Sequence, residues 1–347
     1  MKRLVVCCDG TWNKADQDSN GHPCPTNVVK LAYRVAKRDG ATPQIVFYDQ
    51  GVGTGNVLDR WSGGALGEGL DDNIFDAYRF LIANYEVGDE IYLFGFSRGA
   101  FTARSIAGMI RKCGIVKRTS IAQYAPAMHL YRDHSTHPDA PAAKAFKKAH
   151  SCCPDDDVAI HFIGVWDTVG SLGIPLRGLR WITRRKHVFH DTELSKTVKT
   201  ARHALAIDER RGPFEPTLWM EKPKEGQTLE QVWFPGVHSD VGGGYAETDL
   251  SDIALDWMLG EAKAAGLALD ADVLTGRPLQ PNSKGKLHDS KNGLYNLTPG
   301  IDRAIGVGGS QRVHSSAIER WDNDRTYRPK NLRAWFKATG DRRGAEP

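Results

Sequence analysis

The sequence has no long hydrophobic run: nothing in its 347 residues approaches the ~18 consecutive apolar residues of a membrane-spanning helix. The first apolar stretch, Leu4 to Cys8, stops at Asp9 and is too short for the core of a secretory signal peptide. There is no C-x-x-C spacing either. The six cysteines, Cys7, Cys8, Cys24, Cys113, Cys152 and Cys153, include two adjacent pairs, which argues against a zinc knuckle and against a disulfide framework. A reducing, cytoplasmic setting is the expectation. Charge of one dominant sign is also missing: 46 Lys and Arg against 42 Asp and Glu give +4, too little to single out nucleic acid, and no nucleic-acid partner is expected. A G-X-Y period, an internal repeat and a G-K-[ST] phosphate loop are absent, which excludes a collagen-like chain and a P-loop. Nothing in the sequence calls for a cofactor or a metal.

What the sequence has in excess is glycine, 36 residues, against a usual level of about 7%. These fall in turns and at close backbone approaches, many just beyond short apolar runs. Leu4–Cys8, Gln44–Tyr48, Glu90–Phe94, Val158–Val165 and Val232–Val237 read as strands. Helices are expected from Thr26, over 70–85, 98–112, 192–206 and 249–265, with a helix-like stretch from Ser316 to Trp321. Apolar strands alternating with helices predict an α/β fold, a mostly parallel sheet with helices on both faces. Residues 1–347 are expected to form a single domain, with a loop-rich or cap segment around 268–312 and a frayed end from Arg342 to Pro347.

The sharpest chemical signal is Gly95-Phe96-Ser97-Arg98-Gly99, a G-x-S-x-G motif between an expected strand and an expected helix. A serine on so tight a turn needs small residues two positions away on either side, and Gly95, Gly99 and Ala100 supply them. The helix behind Ser97 offers N–H groups, beginning with Arg98, to a developing oxyanion. A nucleophilic serine needs a base and the base an orienting carboxylate. Strand ends supply Asp167, after Ala159–Trp166, and His238, after Val232–Val237, in the chain order Ser, Asp, His. The rival pair is Asp240 with His314, although His314 follows no convincing strand. Ser97, Asp167 and His238 are the preferred set.

Three other segments have competing readings. Asp9-Gly10-Thr11 resembles the D-G-T of haloacid-dehalogenase-type phosphatases, a reading that predicts magnesium dependence, but Cys7 occupies the nucleophile's position. Two equal readings stand in its place: the Gly10 or Thr11 N–H completes an oxyanion site opposite Ser97 while Asp9 braces the loop, or the segment is a capped turn. Gly51-Val52-Gly53-Thr54-Gly55 reads as a substrate-side loop. Pro175 to His190 carries Arg177, Arg180, Arg184, Arg185 and Lys186 with interleaved Trp181, Ile182, Val188 and Phe189, and no acidic residue. Such a segment can make peripheral contact with an anionic membrane surface, or it is a solvated loop.

Together, Asp9-Gly10-Thr11-Trp12-Asn13, Gly51-Val52-Gly53-Thr54, Gly95–Ala100, Val165-Trp166-Asp167-Thr168-Val169 and His238–Tyr245 resemble the α/β-hydrolase domain family that includes phospholipase effectors of the type VI secretion system. The resemblance runs from the first strand to about His314. It implies an α/β-hydrolase-like fold and a serine esterase or lipase-like enzyme with Ser97, Asp167 and His238 as triad. Phospholipid comes from the resemblance alone; an ester or lipid substrate is the broader expectation. The alternative is a non-catalytic binding or regulatory module on a hydrolase fold.

Overall fold

Alternation along the first strand sets the layers. In β1 (Arg3–Cys8), Leu4, Val6 and Cys8 enter one hydrophobic cluster while Val5 and Cys7 enter another, because successive side chains point to opposite faces of a strand. The computed structural model describes residues 1–10, 13, 16–19, 21–51, 65–170, 193–220, 223–291, 295 and 299–345. Among them β1 joins β2 (Arg38–Asp39), β3 (Thr42–Asp49), β4 (Glu90–Phe96), β5 (Ile160–Trp166), β6 (Val198–Ala206), β7 (Thr228–Phe234) and β8 (Gln311–Val313) in one sheet. The order is β8-β7-β6-β5-β4-β1-β3-β2, parallel throughout except for the β2–β3 pair.

The helices are α1 (Asn27–Ala32), α2 (Ala65–Asn84), α3 (Arg98–Cys113), α4 (Tyr124–Arg132), α5 (Pro141–His150), α6 (His238–Gly242), α7 (Asp249–Ala264), α8 (Ala271–Gly276), α9 (Ser315–Asn323) and α10 (Lys330–Thr339). α2 and α3 pack on the Leu4 and Val6 face, with Tyr78, Leu81, Ile106 and Ile110 in that cluster. α1 and α7 cover the Val5 and Cys7 face through Val28, Leu31, Ile253 and Met258. α9 and α10 close a third cluster, in which Trp321 and Phe336 meet Leu205 and Trp233 from β6 and β7. A mostly parallel sheet with helices on both faces is therefore what the chain forms.

The structure departs from the sequence reading at four places. The helix expected over 192–206 is absent among the described residues, 193–206: Val198–Ala206 is strand β6, paired in parallel with β5 and β7. Its alanines, leucine and lysine are good helix formers, but two flanking strands and burial outweigh propensity. β7 begins at Thr228, earlier than the apolar run indicates, and ends at Phe234. His314 does follow a strand, the three-residue edge strand β8, too short to register as a period. Residues 342–345 are not frayed; they form a short 3₁₀ turn, and Arg343 donates to both carboxylate oxygens of Asp322 at 2.7 and 2.8 Å.

The sheet order reverses at β1, which lies between β4 and β3. Ligands of open α/β sheets bind at the carboxyl ends of strands beside such a reversal. Gly10 follows β1 and Ser97 follows β4, so both stand on the carboxyl edge of the sheet beside that reversal.

Candidate active site

Ser97 stands between the last residue of β4 and the first of α3, with φ 57° and ψ −120°. That turn exists because its flanking residues lack side chains. A Cβ on Gly95 would lie 2.3 Å from the Gly99 carbonyl oxygen, and one on Gly99 would lie 2.2 Å from the Cys8 carbonyl oxygen. The elbow is tied to the sheet by the Ser97 N–H, which donates to the Trp166 carbonyl at 3.0 Å. One strand along, the Asp167 N–H donates to Ala204 at 2.7 Å, and Asp167 also has a positive φ, 40°. Beyond β7, His238 opens the short helix α6.

These three residues meet. Ser97 Oγ lies 2.8 Å from His238 Nε2, and His238 Nδ1 lies 2.5 Å from Asp167 Oδ2. The assembly is nearly dry: Ser97 is 6% exposed, His238 4% and Asp167 0%. The imidazole is sandwiched between Phe96 and Phe214, with ring centroids 4.6 and 4.9 Å away. Burial lowers the His238 pKa below its ordinary 6.5, outweighing the upward pull of Asp167 and Glu209, so the ring is neutral at pH 7 and its unprotonated nitrogen can accept a proton. Burial alone would push the Asp167 carboxyl up. The charge of Arg303, helped by the bond from His238, instead holds it far below the usual carboxylate range.

The rival residues are elsewhere and otherwise engaged. Asp240 Oδ2 accepts the Val237 N–H at 3.0 Å, and its Oδ1 lies 2.6 Å from His288 Nδ1, so it fixes the loop that carries His238. His314 caps α9, with Nδ1 accepting the Ser316 N–H at 3.2 Å, and stacks on Phe234. Neither has a bond to Ser97 or His238.

Gly10 lies against the serine, close enough that a Cβ there would sit 3.3 Å from Ser97 Cβ. Its N–H, however, donates to Asp9 Oδ1 at 2.7 Å and is committed to that bond. Asp9 also accepts from Thr26 Oγ1 at 2.7 Å and Tyr48 OH at 2.8 Å, which makes it a buried brace between three segments; burial raises its pKa to about 6 despite these bonds. Cys7, at the position of a phosphatase nucleophile, is wholly buried, and burial pushes its thiol up. Thr11, residues 52–55 of the glycine-rich loop and the basic segment from Arg177 to Lys186 lie outside the described residues.

Several site residues carry no sequence signal. Glu209 is fully buried after β6, which its composition disguises as a helix; it pairs with Arg211 at 2.7 Å and accepts from the His238 N–H at 3.3 Å and from Ser290 Oγ at 2.9 Å. Arg303 stands in a stretch without periodicity, yet reaches Asp167 across 136 residues of chain.

A mostly parallel sheet with a serine elbow on its carboxyl edge defines an α/β-hydrolase-like protein. Residues 2–261 match the type VI secretion phospholipase effector Tle1-like catalytic domain, and the chain belongs to that family. The chain is 33% identical over 248 residues to uncharacterized protein YEL023C of Saccharomyces cerevisiae, a match covering 64% of this chain and about a third of the yeast protein, 33%. Two solved structures are similar at lower identity. A protein from Pseudomonas aeruginosa gives 18% identity over 78% of this chain and 47% of its own, with a TM-score of 0.43. The Tle1 effector in its complex with the VgrG spike gives 20% over 71% and 51%, with a TM-score of 0.38.

Proposed function

We propose that the chain is a serine hydrolase of carboxylic esters, with lipid esters as its substrate class. Ser97 is the nucleophile, His238 the general base and acid, and Asp167 the residue that orients His238. The observation that carries this reading is the continuous hydrogen-bonded path from Ser97 Oγ through both nitrogens of His238 to Asp167 Oδ2. Family membership supports the lipid part of the assignment.

In acylation the Ser97 hydroxyl proton passes to His238 Nε2 as Oγ bonds to the ester carbonyl carbon. The carbonyl oxygen takes up the negative charge beside the Arg98 N–H, at the positive end of α3. His238 then returns the proton to the departing alkoxide as the carbon–oxygen bond breaks. Water, deprotonated by the same nitrogen, releases the acid and restores Ser97. Asp167 keeps its negative charge throughout and stabilises the imidazolium.

The test is hydrolysis of p-nitrophenyl butyrate together with labelling by a fluorophosphonate probe. Ser97→Ala is expected to abolish labelling and to lower kcat by at least about a thousandfold, the scale of a lost nucleophile. Undiminished turnover would overturn the assignment. Fatty-acid release from phospholipid vesicles and from triglyceride emulsions then separates the lipid classes.

A further inference from the structure

We propose that Arg303 is a positioning residue of the active centre, whose guanidinium clamps both oxygens of Asp167 and holds that carboxylate in line with His238 Nδ1. The inference rests on the reading of Ser97, His238 and Asp167 as the reacting set. It adds to that set a residue beyond the span of the family match, which ends at residue 261.

The geometry is that of a fork on a carboxylate. Arg303 Nη1 donates to Asp167 Oδ1 at 2.7 Å and Nη2 donates to Oδ2 at 3.0 Å. Oδ1 also accepts the Ala206 N–H at 3.0 Å, and Oδ2 receives His238. Each oxygen thus has two partners, and rotation of the carboxylate would break several bonds at once. The guanidinium is itself anchored by donation to the Ala206 carbonyl at 2.8 Å and to the Phe214 carbonyl. Both side chains are 0% exposed, so neither charge has water to fall back on. Phe214, whose carbonyl the fork holds, also lies edge-on to the His238 ring, so one side chain fixes the acid and a wall of the imidazole pocket.

The clamp has a second, electrostatic consequence. His238 is faced by Asp167 from the end of β5, by Glu209 and Arg211 from the segment after β6, and by Ser97 from the elbow. The other imidazole beside Asp167, His203, is buried, and burial lowers its pKa to about 3, leaving it neutral. Arg303 bonds both oxygens of Asp167 and offsets that charge directly, whereas Arg211 is paired with Glu209. Removing it leaves that charge uncompensated, favours the imidazolium, and moves the acid limb of kcat/KM to higher pH.

The test uses the full chain, p-nitrophenyl butyrate and pH profiles. Arg303→Met is expected to lower kcat by about tenfold to a hundredfold, the cost usual for the outer partner of a reacting group, with KM little changed and the acid limb shifted upward. Arg303→Lys restores the charge but not the fork, so it returns the acid limb toward that of the parent while kcat stays low. In an Asp167→Asn background, Arg303→Met adds little, because both changes remove the same interaction. A parent-like kcat and pH profile in Arg303→Met overturns the proposal, as do losses that multiply across the double variant. If Arg303→Met fails to fold, Arg303→Lys decides: an unchanged kcat overturns the clamp. Turnover that survives Ser97→Ala overturns the underlying reading and the proposal with it, whereas an inactive Ser97→Ala beside an unaffected Arg303→Met overturns the proposal alone.

Discussion

Ser97 and Asp167 hold positive φ angles, 57° and 40°, as no other non-glycine residue does among the described residues. Each such backbone costs on the order of 1–3 kcal/mol, and persists only where neighbouring bonds over-determine it. Here those bonds are the exits from β4 and β5, each pinned to the next strand by one N–H. The strain at Ser97 is legible in the sequence, because the elbow excludes a Cβ on both sides and so writes two glycines around the serine. The strain at Asp167 leaves no such trace: no glycine stands within two residues of it, and Arg303 lies too far along the chain for any spacing rule. Gly99→Ala tests the steric half of this account. Its methyl group would be driven onto the Cys8 carbonyl, backbone that cannot yield cheaply. We expect a loss of about 1–3 kcal/mol in urea unfolding, the range for overpacking, and a fall in fluorophosphonate labelling even below the unfolding midpoint. Normal labelling of a folded Gly99→Ala protein would show that the elbow tolerates the shift.

At the scale of elements, four strands lead toward the residues of the candidate site. β1, β4, β5 and β7 end on the same edge of the sheet and lead into Gly10, Ser97, Asp167 and His238. Their apolar runs are legible because both faces of each are buried, which leaves no room for polar alternation. β6 is not legible in that way: Val198–Ala206 has a helix former's composition, and its strand state follows only from pairing on both sides. Concealment of β6 hides Glu209, one of the residues that hold the histidine's loop. The short helix α6 shows how an element aims one side chain. Asp240 closes its first turn and joins it to His288, so it acts on the position of His238 without touching the ring. Two substitutions separate these duties. Asp167→Asn is expected to lower kcat by about four orders of magnitude through loss of the charge and correct tautomer, whereas Asp240→Asn costs about 1 kcal/mol of stability, the scale of a lost cap, and less than about tenfold in kcat. Steady-state kinetics on both decide the matter; a larger loss at Asp240 would reverse the roles.

Across the whole molecule, the site draws on every hydrophobic cluster. Ser97 precedes α3, which packs into the cluster containing Trp219; Phe96 and Trp166 belong to the second; and Arg303 comes from the C-terminal segment, whose α9 and α10 build the third around Trp321 and Trp233. Asp167 is wholly buried and depends on Arg303 for its charge balance, so release of the C-terminal segment would leave a carboxylate in the interior without its fork. That penalty, together with the apolar surface of Leu205 and Trp233 that α9 and α10 cover, couples the third cluster to the other two. The chain should therefore lose its site and its packing in one step. Tryptophans in all three clusters make this measurable, because near-ultraviolet circular dichroism and intrinsic fluorescence report on packing while fluorophosphonate labelling reports on the site. Thermal unfolding followed by the three signals is expected to give one coincident midpoint, as for a two-state unit. If labelling disappears at a lower temperature than the tryptophan signals, the C-terminal segment melts on its own, and the buried Asp167–Arg303 pair is too weak to tie it to the sheet.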